Sequence, residues 1–541
     1  MEVETGNSDV AIIGMGPRGL GALEALASSL AKSGTRLGID IFDPEEKLGA
    51  GPNFRPDESP LCLLNIPVRA VDIDPHDPSL CEVDFASFLN LPHDSDHYPA
   101  RAHLGAYLEM RFDELSSSEV LHLRHIATEI ETLEQDASGW WLQSRGGRYG
   151  PYREVLLTPG QPQSEPDPQL STWQDHAAAT GKDLLPAYPA RDLLSAAHQW
   201  QGKNIAIRGL GLSTHDVLRM LTTGVGGRFE DGSYIPSGAE PARILPFSLN
   251  GHPAFPKPDG AAQDALYDPT EAETEIFEAA LREAVGKSSD DALRIATAPL
   301  VAPVQRILSA LSGDGDAEHW LAAERQEPGS LETDGPTETL RHGIAMAEGR
   351  QPPTPGYAAG QVWRKWQNAL RRGFNSPPFS PATAETIIGF DEALKRYSYG
   401  PPVESSRELL ILVEAGLVHL WAADDPDIET TTDGWSLTEN GGTVTVSAMI
   451  DAVLPSPDIS IITQPLLRSL IDDGLVRPVR DGLGAQIESD GQLVGRDGNT
   501  RDGLCLLGRM ALGSIIAVDS IHDCFGDATR RWANGVVSRI G

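Results

Sequence analysis

Three glycines near the start of the chain have the spacing of a nucleotide-binding turn. Gly14, Gly16 and Gly19 follow an apolar, β-branched run at 10–13 and lead into leucines at helical spacing. In such units the first glycine permits a tight turn, the second lets the backbone approach a pyrophosphate, and the third allows close packing of helix on strand. The positive end of the helix then faces the phosphates, so we predict a dinucleotide site here.

The residues around this turn support the same interpretation. A second apolar run, 37–42, ends in Asp43, at the distance expected for a carboxylate that binds the ribose hydroxyls of an adenosine. Pro17 and Arg18 line the turn itself. A turn that only joins a strand to a helix is the alternative, but the following strand and its terminal carboxylate favour a nucleotide site.

The pattern is repeated near residue 209. A strand at 204–207 leads into RGLGLST and then into a helical pattern, with a threonine in place of the third glycine. The amides and hydroxyls of this turn are candidates to hold a second pyrophosphate; the residues are Gly209, Gly211, Ser213 and Thr214. Because Thr214 is also a good helix N-cap, a turn that binds nothing stays open as the alternative.

Composition limits the classes of partner and compartment. A chain of 541 residues predicts two or three domains, and a net charge of −35 disfavours nucleic acid and anionic membranes. The four cysteines form no close pair, which argues against a flavin disulfide reductase and indicates reduced thiols; they are Cys62, Cys81, Cys505 and Cys524. The sequence shows no transmembrane stretch and no secretory signal, so we predict a cytoplasmic protein. The sequence is also compatible with a homo-oligomer.

The elements between and after the two turns predict an α/β protein. A long Gly- and Pro-rich loop at 48–75, of a kind that is usually functional, precedes a helix at 101–115. Strands are predicted at 121–127, 140–143, 154–160, 243–247, 435–438, 443–455 and 503–510, with a hairpin in the Gly-rich insertion before 243 and a closing helix at 527–540. Periodicity between 270 and 418 is almost wholly helical.

This order predicts two Rossmann-like dinucleotide-binding domains, the second inserted in the first, plus a helical subdomain. The first domain is assigned to 1–170 and 461–541, the second to 171–269 and 419–460, and the helical insertion or lid to 270–418.

Several segments spread over nearly the whole chain resemble one family. They are AIIGMGPRGLGALEAL, IFDPEEKLGAGPNF, LLNIPVRAV, RAHLGAYL, LLTPGQPQ, IRGLGLSTHDVLRMLTTGVGGRFE, YIPSGAEPARILPFS and LLGRMALGSIIAVDS. The chain resembles the FAD/NAD(P)-binding flavoproteins that include the nitrosuccinate synthases, which N-oxidise an amino acid. The resemblance implies FAD in the first domain, NADPH or NADH in the second, and oxygen chemistry at the flavin.

The resemblance also assigns roles to residues outside the turns. It places Asn65 near the isoalloxazine, although an asparagine that satisfies its own turn is the alternative. Arg101 is a candidate to pair with the pyrophosphate or to cover the loop, against a solvated arginine at a helix start. Gly160, Gly508 and Arg509 follow predicted strands where such flavoproteins bring backbone against the cofactor, with ordinary turns as the alternative.

One short segment departs from the sequence pattern of the family. After the strand at 243–247 the family often offers a basic side chain for the ribose phosphate, whereas this chain reads Ser248, Leu249, Asn250. A preference for NADPH is therefore in question, with Arg243 or Lys257 as substitutes.

Other polar clusters have simpler explanations. The cluster of His93, Asp94, Asp96 and His97 is interpreted as an exposed loop, and the set of Asp519, His522 and Asp523 lacks the spacing of a metal motif. No metal is therefore predicted, and His522 is placed near the flavin edge. The basic stretch at 362–373 reads as an amphipathic helix with Val362, Trp366 and Leu370 inward and its Arg and Lys side chains outward, the alternative being a lid that attracts an anion.

The sequence therefore predicts an FAD-dependent oxidoreductase, best matched by an NAD(P)H-using monooxygenase that N-oxidises a small amine or amino acid with oxygen. It identifies no catalytic side chain. An FAD oxidase or dehydrogenase without nicotinamide binding, and a non-catalytic flavin-binding interaction protein, remain alternatives.

Overall fold

The protein is described from a computed structural model that covers residues 2–4, 8–75, 81–118, 120–375 and 379–540. Two sheets form its frame, one mainly and one wholly parallel, each with a glycine-rich turn at the end of a central strand. Among the described residues, no helix combines the length and the apolar character needed to cross a membrane. The expected α/β class is confirmed.

The first sheet has six strands, and the strand before the first turn lies inside it. Its order is Gln492–Val494, Thr500–Leu506, Glu154–Leu157, Val10–Ile13, Leu37–Phe42 and Leu121–Ile126. All pairings are parallel except the one between the first two strands of this order. Val10, Ala11 and Ile12 are fully buried, as expected for a parallel strand that is covered on both faces. The helices of this domain are Pro17–Ser33, Phe85–Phe88, Arg101–Ser116, Ile521–Cys524 and Asp527–Ile540.

A smaller sheet is attached to the first domain. It consists of Glu2–Glu4, Gly147–Tyr152, Gly139–Gln143 and Thr132–Asp136, in that order. Trp140 and Leu142 of its central strand are buried. The predicted strand at 140–143 is thus confirmed, and it belongs to this sheet rather than to the six-stranded one.

The second sheet has four parallel strands and carries the second turn. Its order is Arg243–Phe247, Asn204–Arg208, Ala448–Asp451 and Asp183–Pro186. Its helices are Pro168–Thr180, Ala190–Ala197 and Leu212–Leu221. The predicted hairpin is confirmed as Arg228–Glu230 with Ser233–Ile235, and a three-stranded antiparallel sheet covers the other flank; its strands are Asp427–Thr431, Gly434–Glu439 and Gly442–Val446.

The strands of the second sheet all lie, in the chain, between strands of the first, so the predicted insertion is confirmed. Two connections cross between the domains, and they pair with each other. The Glu165 N–H donates to the Ile461 carbonyl over 2.8 Å, and the Thr463 N–H donates to the Gln163 carbonyl over 2.9 Å. The residue boundaries assigned to the domains above stay predictions.

The region between the two halves of the second domain is helical, as predicted. Its helices are Gly260–Ala265, Glu271–Ala284, Ser289–Thr297, Val301–Ala310, Ala317–Gln326, Pro336–Ala347, Pro355–Lys365, Gln367–Phe374, Pro381–Ser398 and Val403–Glu414. One further helix, Pro465–Asp472, follows the second crossing. Short 3-10 turns lie at Pro52–Phe54, Val68–Ala70, Thr223–Val225, Ala298–Leu300, Ile459–Ile461 and Arg509–Ala511.

The basic stretch at 362–373 is two helices rather than the single one expected, because the chain breaks at Trp366. Val362, Trp366 and Leu370 are buried, as predicted. The expectation that every basic side chain points outward is wrong for Arg371, which is only 8% exposed and donates two hydrogen bonds to the Ala517 carbonyl.

Candidate cofactor sites

The three glycines of the first turn serve different needs. Gly14 has φ +91°, and a Cβ there would lie 2.6 Å from the Thr158 carbonyl oxygen. A Cβ on Gly19 would lie 2.5 Å from the Gly14 carbonyl oxygen. Gly16 has an ordinary φ of −80°, and its Cβ would approach nothing closer than the Gly51 Cα at 3.5 Å. The fold therefore requires glycine at 14 and 19, whereas the space above Gly16 is left for a ligand.

The helix that follows presents a donor set suited to a pyrophosphate. Helix Pro17–Ser33 begins with proline, and among the described residues no side chain caps its Gly16 end. The first amides of a helix have no partner within it, and together with the positive end of the helix dipole they bind anions. The first turn therefore fits the diphosphate of a dinucleotide.

Asp43 lies directly beside this turn. Its carboxylate accepts the Met15 N–H over 2.7 Å and the Glu45 N–H over 3.0 Å. A carboxylate has further lone pairs available when each oxygen accepts one hydrogen bond. Asp43 thus fixes the turn while retaining acceptor capacity, and its contact with the ribose stays a prediction.

Arg18 connects the turn to the C-terminal segment of the chain. Its guanidinium lies 2.8 Å from the Asp523 carboxylate and donates to the Val518 carbonyl over 3.2 Å. Gly508 has φ +104°, and a Cβ there would lie 2.7 Å from the Arg18 Nε. The structure therefore brings together Arg18 and Gly508, which the sequence assigned to one site. Sequence reasoning missed Asp523 as the partner of Arg18.

Arg509 and Asp519 belong to an ion-pair cluster at the same edge. Arg509 pairs with Asp519 and donates to the Pro455 carbonyl over 3.0 Å, while the Lys395 Nζ lies 2.8 Å from the second Asp519 oxygen. Burial alone would raise the pKa of Asp519, but the two neighbouring cations lower it to about 2. Lys395 comes from the helical region, so this cluster joins that region to the first domain.

The charge on Asp519 is expected to stabilise the fold in a pH-dependent way. Because its pKa is depressed from 3.8 to about 2, its contribution is present above pH 4 and is lost as the pH falls toward 2. We expect Asp519→Asn to lower the free energy of unfolding at pH 7 by about 2 kcal/mol. Urea titrations of both proteins between pH 7 and pH 2.5 check this, and a difference that stays constant over that range would contradict it.

Three further predicted contacts lie at the edges of the same region. Asn65 is half-buried in the long loop, next to Leu64, whose N–H donates to the Pro99 carbonyl over 2.8 Å. Gly160 has φ +66° and open space where a Cβ would be. The His522 Nε2 lies 2.8 Å from the Ala70 carbonyl, so this ring is held in place by backbone. The roles of these residues at the flavin stay predictions.

Arg101 links the two domains. Its guanidinium lies 2.7 Å from the Asp216 carboxylate, stacks over the Tyr188 ring and donates to the Leu63 carbonyl over 3.2 Å. The Tyr188 hydroxyl donates to the same Asp216 carboxylate over 2.6 Å. The alternative of a solvated arginine is wrong, since the Arg101 side chain is only 20% exposed. Its contact with the pyrophosphate stays a prediction.

This linkage was not visible in the sequence. Arg101 belongs to the first domain, whereas Asp216 lies in helix Leu212–Leu221, which begins at the second turn. A residue pair that is 115 positions apart leaves no local signal. The sequence indicates this pair only through the position of Asp216, which lies one helical turn after the second glycine motif.

The second turn is shaped like the first. The Thr214 hydroxyl takes the place that the closely packed Gly19 has in the first turn. Gly209 has φ +123°, and a Cβ on Gly211 would meet no atom within 4 Å. Gly211 precedes the first residue of the helix, so the expectation that Thr214 is the N-cap is wrong. The Thr214 hydroxyl donates to the Gly209 carbonyl over 2.8 Å and the residue is 2% exposed. Thr214 therefore secures the turn, Gly211 is exposed, and Ser213 is half-buried with its side chain beside Tyr188.

The two proposed substitutes for a phosphate-binding residue are badly placed. Arg243 is exposed, but it starts its strand and pairs in register with Asn204, at the opposite end of the sheet from the second turn. Lys257 is 7% exposed and donates to the Gly400 carbonyl, and burial lowers its pKa to about 7. Arg243 therefore lies at the wrong end of its strand, and Lys257 is buried, so neither is presented to a phosphate on the ribose.

Two members of the cluster at 93–97 lie close to charged side chains outside it. Asp96 pairs with Arg69 at 2.6 Å, and His93 lies 3.6 Å from Asp84. Over the described ranges, no group of three or more His, Cys, Asp or Glu side chains is arranged to hold a metal ion.

Comparison with known proteins gives a consistent result. Residues 11–162 match a family described as FAD-NAD(P)-binding. The chain is 27% identical to a nitrosuccinic acid synthase of Aspergillus oryzae, over 88% of this chain and 82% of that protein. It is 26% identical to an L-aspartate N-monooxygenase (nitrosuccinate-forming) of Streptomyces davaonensis, over 86% of this chain and 85% of that protein.

A solved structure shows the same fold. The L-lysine 6-monooxygenase from Pseudomonas syringae aligns over 99% of this chain and 100% of its own, with a TM-score of 0.51 and 15% identity. The two glycine turns lie at the carboxyl ends of parallel strands, where open α/β sheets bind their ligands. Taken together, the turns, the sheets and these matches show a fold with two dinucleotide-type domains, shared with the L-lysine 6-monooxygenase, in which residues 11–162 match an FAD-NAD(P)-binding family.

Proposed function

We propose that the protein is an FAD-dependent monooxygenase that accepts hydride from a nicotinamide nucleotide and transfers one oxygen atom to the nitrogen of a small amino acid. The observation that carries the proposal is the pair of nucleotide turns on two sheets, joined by Arg101 and Asp216. The relatives named as a nitrosuccinic acid synthase and as an L-aspartate N-monooxygenase support the reaction class, and the second makes L-aspartate the first substrate to test.

The chain's own residues would bind and orient the cofactors. FAD, when bound, supplies the hydride acceptance and the oxygen chemistry. The amides after Gly16 would hold its diphosphate, Asp43 its adenine ribose, and Arg18 the C-terminal segment against the turn. The second turn would hold the nicotinamide nucleotide through the amides after Gly211.

Contacts between the helical region and the C-terminal segment would close the cofactor site. Lys395 and Arg371 of the helical region bind the C-terminal segment through Asp519 and the Ala517 carbonyl. Both contacts hold helices against the edge of the first domain, where they restrict the access of water. Excluding water would protect the reacting groups in the site from side reactions. We also propose a cytoplasmic location, which the four free cysteines support.

Anaerobic mixing of the FAD-loaded enzyme with NADH or NADPH tests the proposal. We expect rapid bleaching of the oxidised flavin, followed, on admission of air, by oxygen uptake that L-aspartate couples to an N-oxidised product. Bleaching by an organic substrate alone would instead identify an oxidase or dehydrogenase. Bound FAD without reduction by any candidate would favour an interaction protein.

A further inference from the structure

We infer that the second nucleotide turn selects NADH over NADPH, because the corner that receives the ribose 2′ position is bordered by carboxylates. This inference rests on the proposed function and specifies its electron donor.

The position of the corner follows from the sheet. Strand Arg243–Phe247 pairs in parallel with Asn204–Arg208, the strand that leads into the second turn. In Rossmann-like units, residues just after the neighbouring strand contact the 2′ position of the adenosine ribose. That segment is Ser248, Leu249 and Asn250, and the Ser248 hydroxyl donates to the Asn250 side chain over 3.2 Å.

A second segment brings negative charge to this corner. Ser248 bridges in parallel to Asp424, and the Asp425 N–H donates to the Ser248 carbonyl over 2.9 Å. Both aspartates are exposed. The Asp424 N–H in turn donates to the Glu439 carboxylate over 3.3 Å, which adds a third acidic side chain to the same border.

Arg208 and His252, the basic residues that flank this corner in the two strand–turn segments, are engaged elsewhere. Arg208, at the end of its strand, pairs with Asp167 at 2.5 Å and with Asp451 at 3.3 Å. The His252 Nδ1 lies 3.3 Å from the Thr339 hydroxyl, and burial lowers the pKa of this ring, so it is neutral at pH 7. Arg243 lies at the wrong end of its strand and Lys257 is buried, as described above.

These charges act in opposite senses on the two nucleotides. A ribose 2′-hydroxyl can donate a hydrogen bond to a carboxylate, whereas a 2′-phosphate with about two negative charges is repelled by it. NADP-binding sites usually provide an arginine here, and NAD-binding sites an acidic residue. Ser248, Leu249 and Asn250 provide no arginine, and the adjacent segment supplies the Asp424 carboxylate instead, so the charge at this corner is of the second kind.

Binding to the FAD-loaded enzyme provides the test. We expect calorimetry to show NAD⁺ binding at least tenfold more tightly than NADP⁺, and NADH to reduce the flavin more efficiently than NADPH under anaerobic conditions. Asp424→Asn should reduce the preference at least threefold, and Asn250→Arg should raise the affinity for NADP⁺.

Asp433→Asn is the matched control, because Asp433 is exposed at the Thr431–Gly434 turn, the opposite end of the same three-stranded sheet. It removes the same charge and should leave the preference unchanged. Tighter or equal binding of NADP⁺ in the wild-type enzyme would overturn the inference but leave the proposed function standing. Failure of both nucleotides to bind and to reduce the flavin would overturn both.

Discussion

Replacing Gly16 with valine is expected to raise the dissociation constant for FAD at least 100-fold while leaving the fold intact. Gly16 has φ −80°, and the nearest atom to its Cβ position is the Gly51 Cα at 3.5 Å, so a side chain meets little of the protein. It would instead occupy the space that a diphosphate needs above the start of the helix. A 100-fold loss corresponds to about 2.8 kcal/mol of binding free energy.

The ratio of flavin to protein absorbance after purification, and a titration of the apoprotein with FAD, measure this effect. Gly389→Ala is the matched control, because Gly389 lies inside helix Pro381–Ser398 and has no atom within 4 Å of its Cβ position. Gly14→Val should unfold the domain as well, since its Cβ would lie 2.6 Å from the Thr158 carbonyl. A Gly16→Val protein that retains wild-type affinity for FAD would show that the first turn does not hold the cofactor.

Replacing Asp216 with alanine is expected to lower the free energy of unfolding by about 3 kcal/mol and to slow flavin reduction by the nicotinamide at least tenfold. Asp216 is 4% exposed and accepts contacts from both Arg101 and Tyr188. Its removal leaves a largely buried guanidinium without a counter-charge, which typically costs 3–5 kcal/mol; the 20% exposure of Arg101 places the effect at the lower end. The lost contact also frees the two nucleotide domains to shift relative to each other.

Urea unfolding and anaerobic stopped-flow reduction measure the two effects separately. Asp216→Asn, which can still accept the Tyr188 hydroxyl, should be intermediate in both. Asp192→Ala is the control, because Asp192 is an exposed carboxylate in the neighbouring helix Ala190–Ala197. Unchanged stability and unchanged reduction in Asp216→Ala would show that this pair does not hold the domains in register.

Features set by neighbouring residues were predictable from the sequence. Both glycine turns, the strand Arg243–Phe247 and the hairpin before it appear where the local patterns place them. Each depends on backbone requirements that extend over a few residues, such as a positive φ at Gly14 or the alternation of turn and strand residues. Such requirements leave a readable pattern in the sequence.

Features set by distant residues were not predictable. Arg101 reads as the start of a helix, yet its partner is 115 positions away in another domain. Arg371 reads as a solvent-facing residue, yet it is buried because the C-terminal segment brings the Ala517 carbonyl to it. Lys257 is offered by the sequence as a substitute for a phosphate-binding residue, yet tertiary packing buries it against Gly400. In each case the deciding group arrives only when the fold is complete.

The paired crossings between the domains determine how the two nucleotides can move. Because segments 163–165 and 461–463 hydrogen-bond to each other, the second domain is attached by a two-stranded ribbon rather than by two independent chains. The two crossings therefore cannot shift independently, and relative motion of the domains bends both at once, as in hinge closure, where a few residues absorb the change. A movement of that kind would open and close the gap between the two turns.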